Sequence, residues 1–151
     1  MSIAPSISAF HQFFTWILLT VAVISVAACS SFSGPDNAPL RETHWQVTEI
    51  FSYPVTAKEE QQSAYLQFSA NGKVEGHSGC NQLFGQYHLQ DSIIYFTRMA
   101  STRMACVGQA DEIEGYMLDL LKEPKLWIIK GETLVLFNKE QQVQARFKSV
   151  Y

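Results

Sequence analysis

The sequence predicts an α+β domain, a curled and mainly antiparallel sheet of about eight short strands, half-barrel-like, with one helix packed across it. Two observations carry this prediction. Past Thr43 the apolar side chains alternate with polar ones, which is the period of half-buried strands. One segment from Asp111 instead spaces its apolar residues three and four positions apart, as one helical face requires.

The strands are expected in order along the chain. Asn71-Gly72 predicts a hairpin with a type I′ turn, because both central residues of that turn need positive φ and these two tolerate it. The alternating segments that predict strands are 44–53, 64–69, 73–75, 86–90, 92–98, 125–129, 133–137 and 142–150.

The helical segment has a start signal and a stop signal. Glu114 follows Asp111 by three residues, which predicts a capping box, and Pro124 ends the helix. We also expect three methionines to fill irregular gaps in the core, namely Met99, Met104 and Met117.

Composition excludes several classes of protein. Lys and Arg number 11 against 14 Asp and Glu, so the net charge is −3 and no basic patch predicts a nucleic-acid partner. With 47% hydrophobic residues the chain can build a core. The stretch 76–80 resembles a nucleophile elbow but lacks its final glycine, and we find no credible acid/base pair or phosphate-binding loop. We therefore expect neither an enzyme nor a cofactor.

The amino-terminal segment follows different rules. No charged side chain precedes Asp36, and the apolar run 13–28 is shorter than the roughly 20 residues of a spanning helix. The run ends in Val26-Ala27-Ala28-Cys29, which resembles the lipobox of bacterial lipoproteins. That resemblance implies cleavage before Cys29 and its modification with acyl chains such as palmitate. The alternative is an uncleaved membrane anchor, which the absence of Lys and Arg at the amino terminus favours.

These signals divide the chain into three parts. A signal peptide spans 1–28, the acylated cysteine and a polar flexible tether span 29–43, and the folded domain spans 44–151. Because Ser30 follows the cysteine, the lipoprotein resemblance implies sorting to the bacterial outer membrane. We expect the mature protein on the periplasmic side, with the membrane as its first partner.

Cys80 and Cys106 are the cysteines that remain for the folded part. In an oxidising compartment two such cysteines are more often paired than free, which predicts a disulfide. Two alternatives stay open: a pair of buried thiols, or a redox or metal site that also uses His77. We predict no metal, because no fourth ligand occurs at a recognisable spacing.

Several motifs resemble the META domain of HslJ-like proteins. They are Lys73 to Asn81 (KVEGHSGCN), Gly85-Gln86-Tyr87 and Met99 to Cys106 (MASTRMAC), with Trp45 near the start of the first strand and Glu112 after the last motif. The resemblance implies a fold of strands with a helix packed across them. It also implies no established enzymatic activity, and a link to heat response, drug tolerance or secretion.

Five motif residues are candidates for a binding surface, namely Gly79, Asn81, Thr102, Arg103 and Met104. We expect Asn81 to support a turn beside the disulfide. For Arg103 we favour an internal carboxylate such as Glu112 over an external anion.

The predicted function is a non-enzymatic envelope lipoprotein whose domain binds or supports another envelope protein. A first alternative is a carrier of small apolar ligands on the concave face of the sheet. A second is a thiol or metal sensor at Cys80, Cys106 and His77.

Overall fold

The computed structural model describes residues 37–56 and 63–150, which contain nine strands and one helix. In chain order these elements are β1 (His44–Ile50), β2 (Tyr53–Pro54), β3 (Tyr65–Phe68), β4 (Lys73–His77), β5 (Gln82–Gln90), β6 (Ile93–Ser101), α1 (Gln109–Leu120), β7 (Lys125–Lys130), β8 (Thr133–Phe137) and β9 (Val143–Val150). The signal peptide, Cys29 and its acylation lie outside the described residues.

The strands form one antiparallel sheet in the order β2-β1-β3-β4-β5-β6-β7-β8-β9. An additional pairing of β1 with β9 brings the ends together, so the sheet curls into a ring. Among the strands that form the ring, the narrowest connection lies between β6 and β7, where Ile93 pairs with Leu126 and Ile94 with Lys125. The predicted α+β class and the curled antiparallel sheet are confirmed.

The core lies inside the curled sheet because the strands alternate as predicted. Trp45 and Val47 of β1 are 0% and 1% exposed, and the buried side chains of β3 are Leu66 and Phe68. The helix adds its own apolar face to the same cluster, namely Ile113, Met117 and Leu120. Buried side chains therefore cover the concave face, which argues against the ligand-carrier alternative on that face.

The helix begins differently from the prediction. It starts at Gln109 after Gly108, whose φ is +61°, and no side chain caps it. The capping box of Asp111 and Glu114 is therefore wrong, because the helix starts two residues earlier and Glu114 bonds elsewhere. Asp111 still lies in the first turn, where a negative charge interacts favourably with the helix dipole.

The hairpin at Asn71-Gly72 is confirmed, but its turn type is wrong. Gly72 has a φ of +82°, whereas Asn71 is not among the residues with positive φ. The Gly72 N–H donates to the Ser69 carbonyl at 3.1 Å, and the Lys73 N–H donates to Asn71 Oδ1 at 3.2 Å. The turn thus spans four residues and uses the asparagine side chain to support its backbone.

The folded part starts earlier than the sequence predicted. The Gly131 N–H donates to Asn37 Oδ1 at 2.7 Å, and the Ala38 N–H donates to the Gly131 carbonyl at 2.9 Å. Leu40 is buried, and its carbonyl accepts a hydrogen bond from Trp45 Nε1 at 2.9 Å. The tether predicted at 29–43 is therefore wrong over residues 37–43. A short segment without periodicity gives no strand signal, although it is packed on the domain.

Within the described residues, no helix has the length and the apolar character needed to cross a bilayer.

Candidate functional site

The two cysteine motifs meet at one place, between the β4–β5 loop and the segment 102–108 that precedes α1. Cys80 and Cys106 form a disulfide there, with their Cα atoms 6.0 Å apart. This separation is typical of protein disulfides. We call the cluster of Ser78, Asn81, Thr102, Glu114 and this disulfide the Asn81 junction.

Asn81 is the centre of the junction and is 2% exposed. Its Oδ1 accepts hydrogen bonds from Thr102 Oγ1 and from the Met104 N–H, both at 2.8 Å. Its Nδ2 donates to Glu114 Oε2 at 2.8 Å and to the Met104 carbonyl at 3.2 Å. Every donor and acceptor of the amide is thus used, and one side chain joins the β4–β5 loop, the 102–108 loop and the helix.

The backbone of the junction is closed by Ser78, which is 0% exposed. The Asn81 N–H donates to Ser78 Oγ at 2.9 Å, and the Ser78 hydroxyl donates to the Asn81 carbonyl at 3.0 Å. Gly79 lies between them with a φ of +95°, which L-residues rarely adopt. Ser78 and Glu114, to which the sequence analysis gave no role at this turn, therefore complete the hydrogen bonding of Asn81. No spacing signal could reveal Glu114, because it lies on another element 33 residues away.

The metal candidates do not converge as one group. Within the described residues, the ligand atoms that lie within 4.8 Å of one another belong to Cys80, Cys106 and Glu114. The two sulfurs are bonded to each other and so are not thiolate ligands. His77 is occupied otherwise, since its Nδ1 accepts the Gly79 N–H at 3.0 Å. Burial lowers the pKa of His77, and the charge of Glu114 opposes this shift.

The 102–108 loop is exposed and carries two predictions that are wrong. Within the described residues Arg103 makes no ion pair, so the expected partnership with Glu112 is absent. Met104 is 63% exposed and does not fill the core, because its backbone is held by Asn81 while its side chain faces solvent. Val107 is 82% exposed. Of the other methionines, Met117 is fully buried and Met99 packs at the edge of the core, as predicted.

A second feature lies on the outer face of the sheet. A cleft of about 600 Å³ opens over β1, β3, β4 and β5, and we call it the outer-face cleft. Its side chains include His44, Tyr65, Glu75, His77, Gln82 and Phe84. The rings of His44 and Tyr65 stack with their centroids 3.9 Å apart. Sequence reasoning did not bring these residues together as one site, because polar residues on the outer face of a strand are typical of ordinary solvated positions.

The fold and the junction define a class of small α+β domain: a ring of antiparallel strands, one helix in its core, and a disulfide that ties the loop before the helix to the sheet. The family model of the META domain matches residues 38–151, and the chain belongs to the META domain family. The match begins within the segment that had been predicted as tether, in agreement with the contacts of Ala38.

Two solved structures, both NMR structures, are similar in fold. One is 21% identical and has a TM-score of 0.59, over 72% of this chain and 89% of that chain. The other, a protein from Burkholderia xenovorans, is 23% identical with a TM-score of 0.59, over 82% of this chain and 96% of that chain. At these identities the likeness shows the fold alone. No curated protein matches the chain significantly.

Proposed function

We propose that this META-domain protein is a non-enzymatic binding module of the bacterial envelope, anchored by lipid at Cys29, that presents its 102–108 loop to a protein partner. One observation carries the proposal: an exposed loop is fixed by the Asn81 junction at three positions, Thr102, Met104 and Cys106. A loop already held in one conformation loses less entropy on binding than a free one. The junction therefore favours a recognition role for this loop.

The side chains of the loop suit a protein surface. Arg103 is exposed, and the same loop carries the exposed side chains of Met104 and Val107. Arg and Met are enriched at protein interfaces, and a guanidinium can pair with a carboxylate in two parallel hydrogen bonds. Because no described residue pairs with Arg103, we infer a partner with an acidic group next to an apolar patch.

The anchor sets where such a partner can lie. If acylation occurs at Cys29, residues 30–36 separate the lipid from the first described residue, Asn37, and an extended chain of that length spans at most about 25 Å. The domain would then stay close to the headgroups, and the partner would be a membrane-proximal envelope protein. A link to envelope stress or drug tolerance is proposed from the family resemblance alone.

The test combines intact mass with crosslinking in cells. Protein from membranes should lack residues 1–28 and carry acyl mass, and a Cys29→Ser variant should leave the membrane fraction. Mild crosslinking should recover one specific envelope protein, and Arg103→Glu should reduce its yield at least tenfold.

The matched control is Lys130→Glu, the same charge change at an exposed lysine without an ion pair in the described part of the chain. Equal yields from the two variants would contradict the role of the loop. A full-length protein without lipid would contradict the anchor.

A further inference from the structure

Several polar side chains of the outer-face cleft have no ion-pair or hydrogen-bond partner in the described part of the chain. Glu75 has neither an ion pair nor a side-chain hydrogen bond there, although it lines the cleft. The side-chain amide of Gln82 and the hydroxyl of Tyr65 likewise have no hydrogen bond to a described residue. These groups converge on a space of about 600 Å³, which is within the size range of ligand sites.

The two histidines of the cleft are neutral donors near pH 7. Burial lowers the pKa of His44 and of His77. The Nδ1 of His77 accepts the Gly79 N–H at 3.0 Å, so the neutral imidazole carries its proton on Nε2. The carboxylate of Glu75 is therefore the charge that the described lining contributes to the cleft.

Two aromatic side chains line the cleft near this carboxylate. Phe84 is paired directly with Glu75 across β4 and β5 and is 48% exposed. On the other side of β4, Tyr65 stacks on His44. A carboxylate directly beside an exposed aromatic ring favours a planar cation, since a guanidinium stacks on rings and binds a carboxylate through two donors.

A smaller cleft of about 300 Å³ adjoins Glu75 and Phe84. It shares Glu75 and Phe84 with the outer-face cleft and adds the basic side chains of Lys73 and Arg98. The combined surface thus places the carboxylate of Glu75 where the two clefts meet, next to two basic side chains. A ligand with a cationic group and a neighbouring anionic group matches this order of charges.

We propose that the outer-face cleft binds the guanidinium group of an arginine in a peptide segment, with an acidic residue beside it facing Lys73 and Arg98. Glu75 pairs with the guanidinium, Phe84 and Tyr65 contact its plane, and Nε2–H of His77 donates to a peptide carbonyl. This site is separate from the 102–108 loop and does not rest on the lipid anchor.

The experiment titrates the full-length protein, purified in neutral detergent, with acetyl-Arg-Glu-amide, and follows backbone amide shifts by NMR. The matched probe is acetyl-citrulline-Glu-amide, which has the same shape with a neutral urea in place of the guanidinium. We expect saturable shifts confined to the residues that line the two clefts, namely His44, 63–86 and Arg98, and an affinity for the citrulline probe that is lower by roughly tenfold or more.

Glu75→Gln should weaken arginine binding to the same extent, with its thermal unfolding midpoint unchanged. Glu132→Gln removes an exposed carboxylate far along the chain and should bind as the unaltered protein does. If Glu75→Gln folds poorly, Phe84→Ala replaces it, since that ring is half exposed and its loss removes the stacking surface.

Three results would overturn the proposal: equal affinity for the two probes, no saturation, or shifts confined to 102–108. Loss of binding in Glu132→Gln equal to that in Glu75→Gln would also overturn it, because it would show a non-specific charge effect.

Discussion

The Asn81 junction and the outer-face cleft are neighbours that treat polar side chains in opposite ways. They are adjacent in sequence, because Gln82 of the cleft follows Asn81. They are also in contact, since the Gln82 N–H donates to Thr102 Oγ1 at 3.1 Å. In the junction the amide of Asn81 is buried and its hydrogen bonds all end inside the protein. In the cleft, the side chains of Glu75 and Gln82 have no such partner among the described residues.

The difference separates two uses of polarity. A buried polar group that lacks a partner costs free energy, so the junction is a structural device whose parts depend on one another. A polar group in an open cleft is hydrated and costs little, and it remains free to exchange water for a ligand. A buried motif residue such as Asn81 thus indicates first how the fold is held together. Binding residues are better sought among exposed polar side chains without a hydrogen-bond partner.

The largest expected effect comes from removing the disulfide of the junction. The double change Cys80→Ser, Cys106→Ser opens a loop of 26 residues. The chain-entropy model assigns this loop roughly 3 to 4 kcal/mol of stability. Thermal denaturation should therefore show an unfolding midpoint lower by roughly 10 to 20 °C.

The same protein with its disulfide reduced is the control for this measurement. Reduction should lower the midpoint by a similar amount. If neither the double variant nor the reduced protein is destabilised, the junction is held by hydrogen bonds alone. The outer-face cleft should keep its affinity for the arginine probe in the double variant, provided that the measurement is made well below the lower midpoint.

The next largest effect is expected for Asn81→Ala. The change removes four side-chain hydrogen bonds and leaves the Met104 N–H and Glu114 without this partner. At about 1 kcal/mol for each lost bond, partly offset by water entry, the free energy of unfolding should fall by roughly 2 to 3 kcal/mol. Urea denaturation measures this loss.

A matched variant is Asn138→Ala. Asn138 also bonds through both ends of its amide, to the N–H and the side chain of Gln142, but in an exposed turn. Its loss should cost about 1 kcal/mol or less, because water replaces exposed bonds. Equal losses of unfolding free energy at the two asparagines would mean that burial does not determine how much the hydrogen bonds of the junction contribute to stability.

Sequence reasoning reached the fold because its signals are local. The alternation of side chains along strands and the spacing of Ile113 and Met117 on the helix can be recognised from neighbouring residues. The pairing of the cysteines follows from the number of cysteines in the folded part. The predicted disulfide and antiparallel sheet follow from such patterns. The packed segment at Leu40 has no period, and so it was assigned to the tether.

The candidate sites depend on contacts between distant elements, which a single sequence does not show. Glu114 reaches Asn81 only because α1 lies beside the β4–β5 loop. Arg103 and Met104 read as a salt-bridge partner and a core filler by residue type, yet both lie on an exposed loop. The outer-face cleft is made by four strands in register, and its residues are ordinary outward positions in each strand taken alone.

The smallest effect on stability is expected where the effect on binding is largest. Glu75→Gln and Gln82→Ala change cleft side chains that make no hydrogen bond or ion pair with a described residue, so each should alter the free energy of unfolding by at most about 0.5 kcal/mol. Urea denaturation of the two cleft variants, compared with that of Asn81→Ala, checks this. A loss near that of Asn81→Ala would show that the cleft is a structural element like the junction, and the arginine site would then lose the feature that distinguishes it. An unchanged stability together with weakened arginine binding would establish that some polar groups of β4, β5 and the loop between them hold the fold, whereas others bind a ligand.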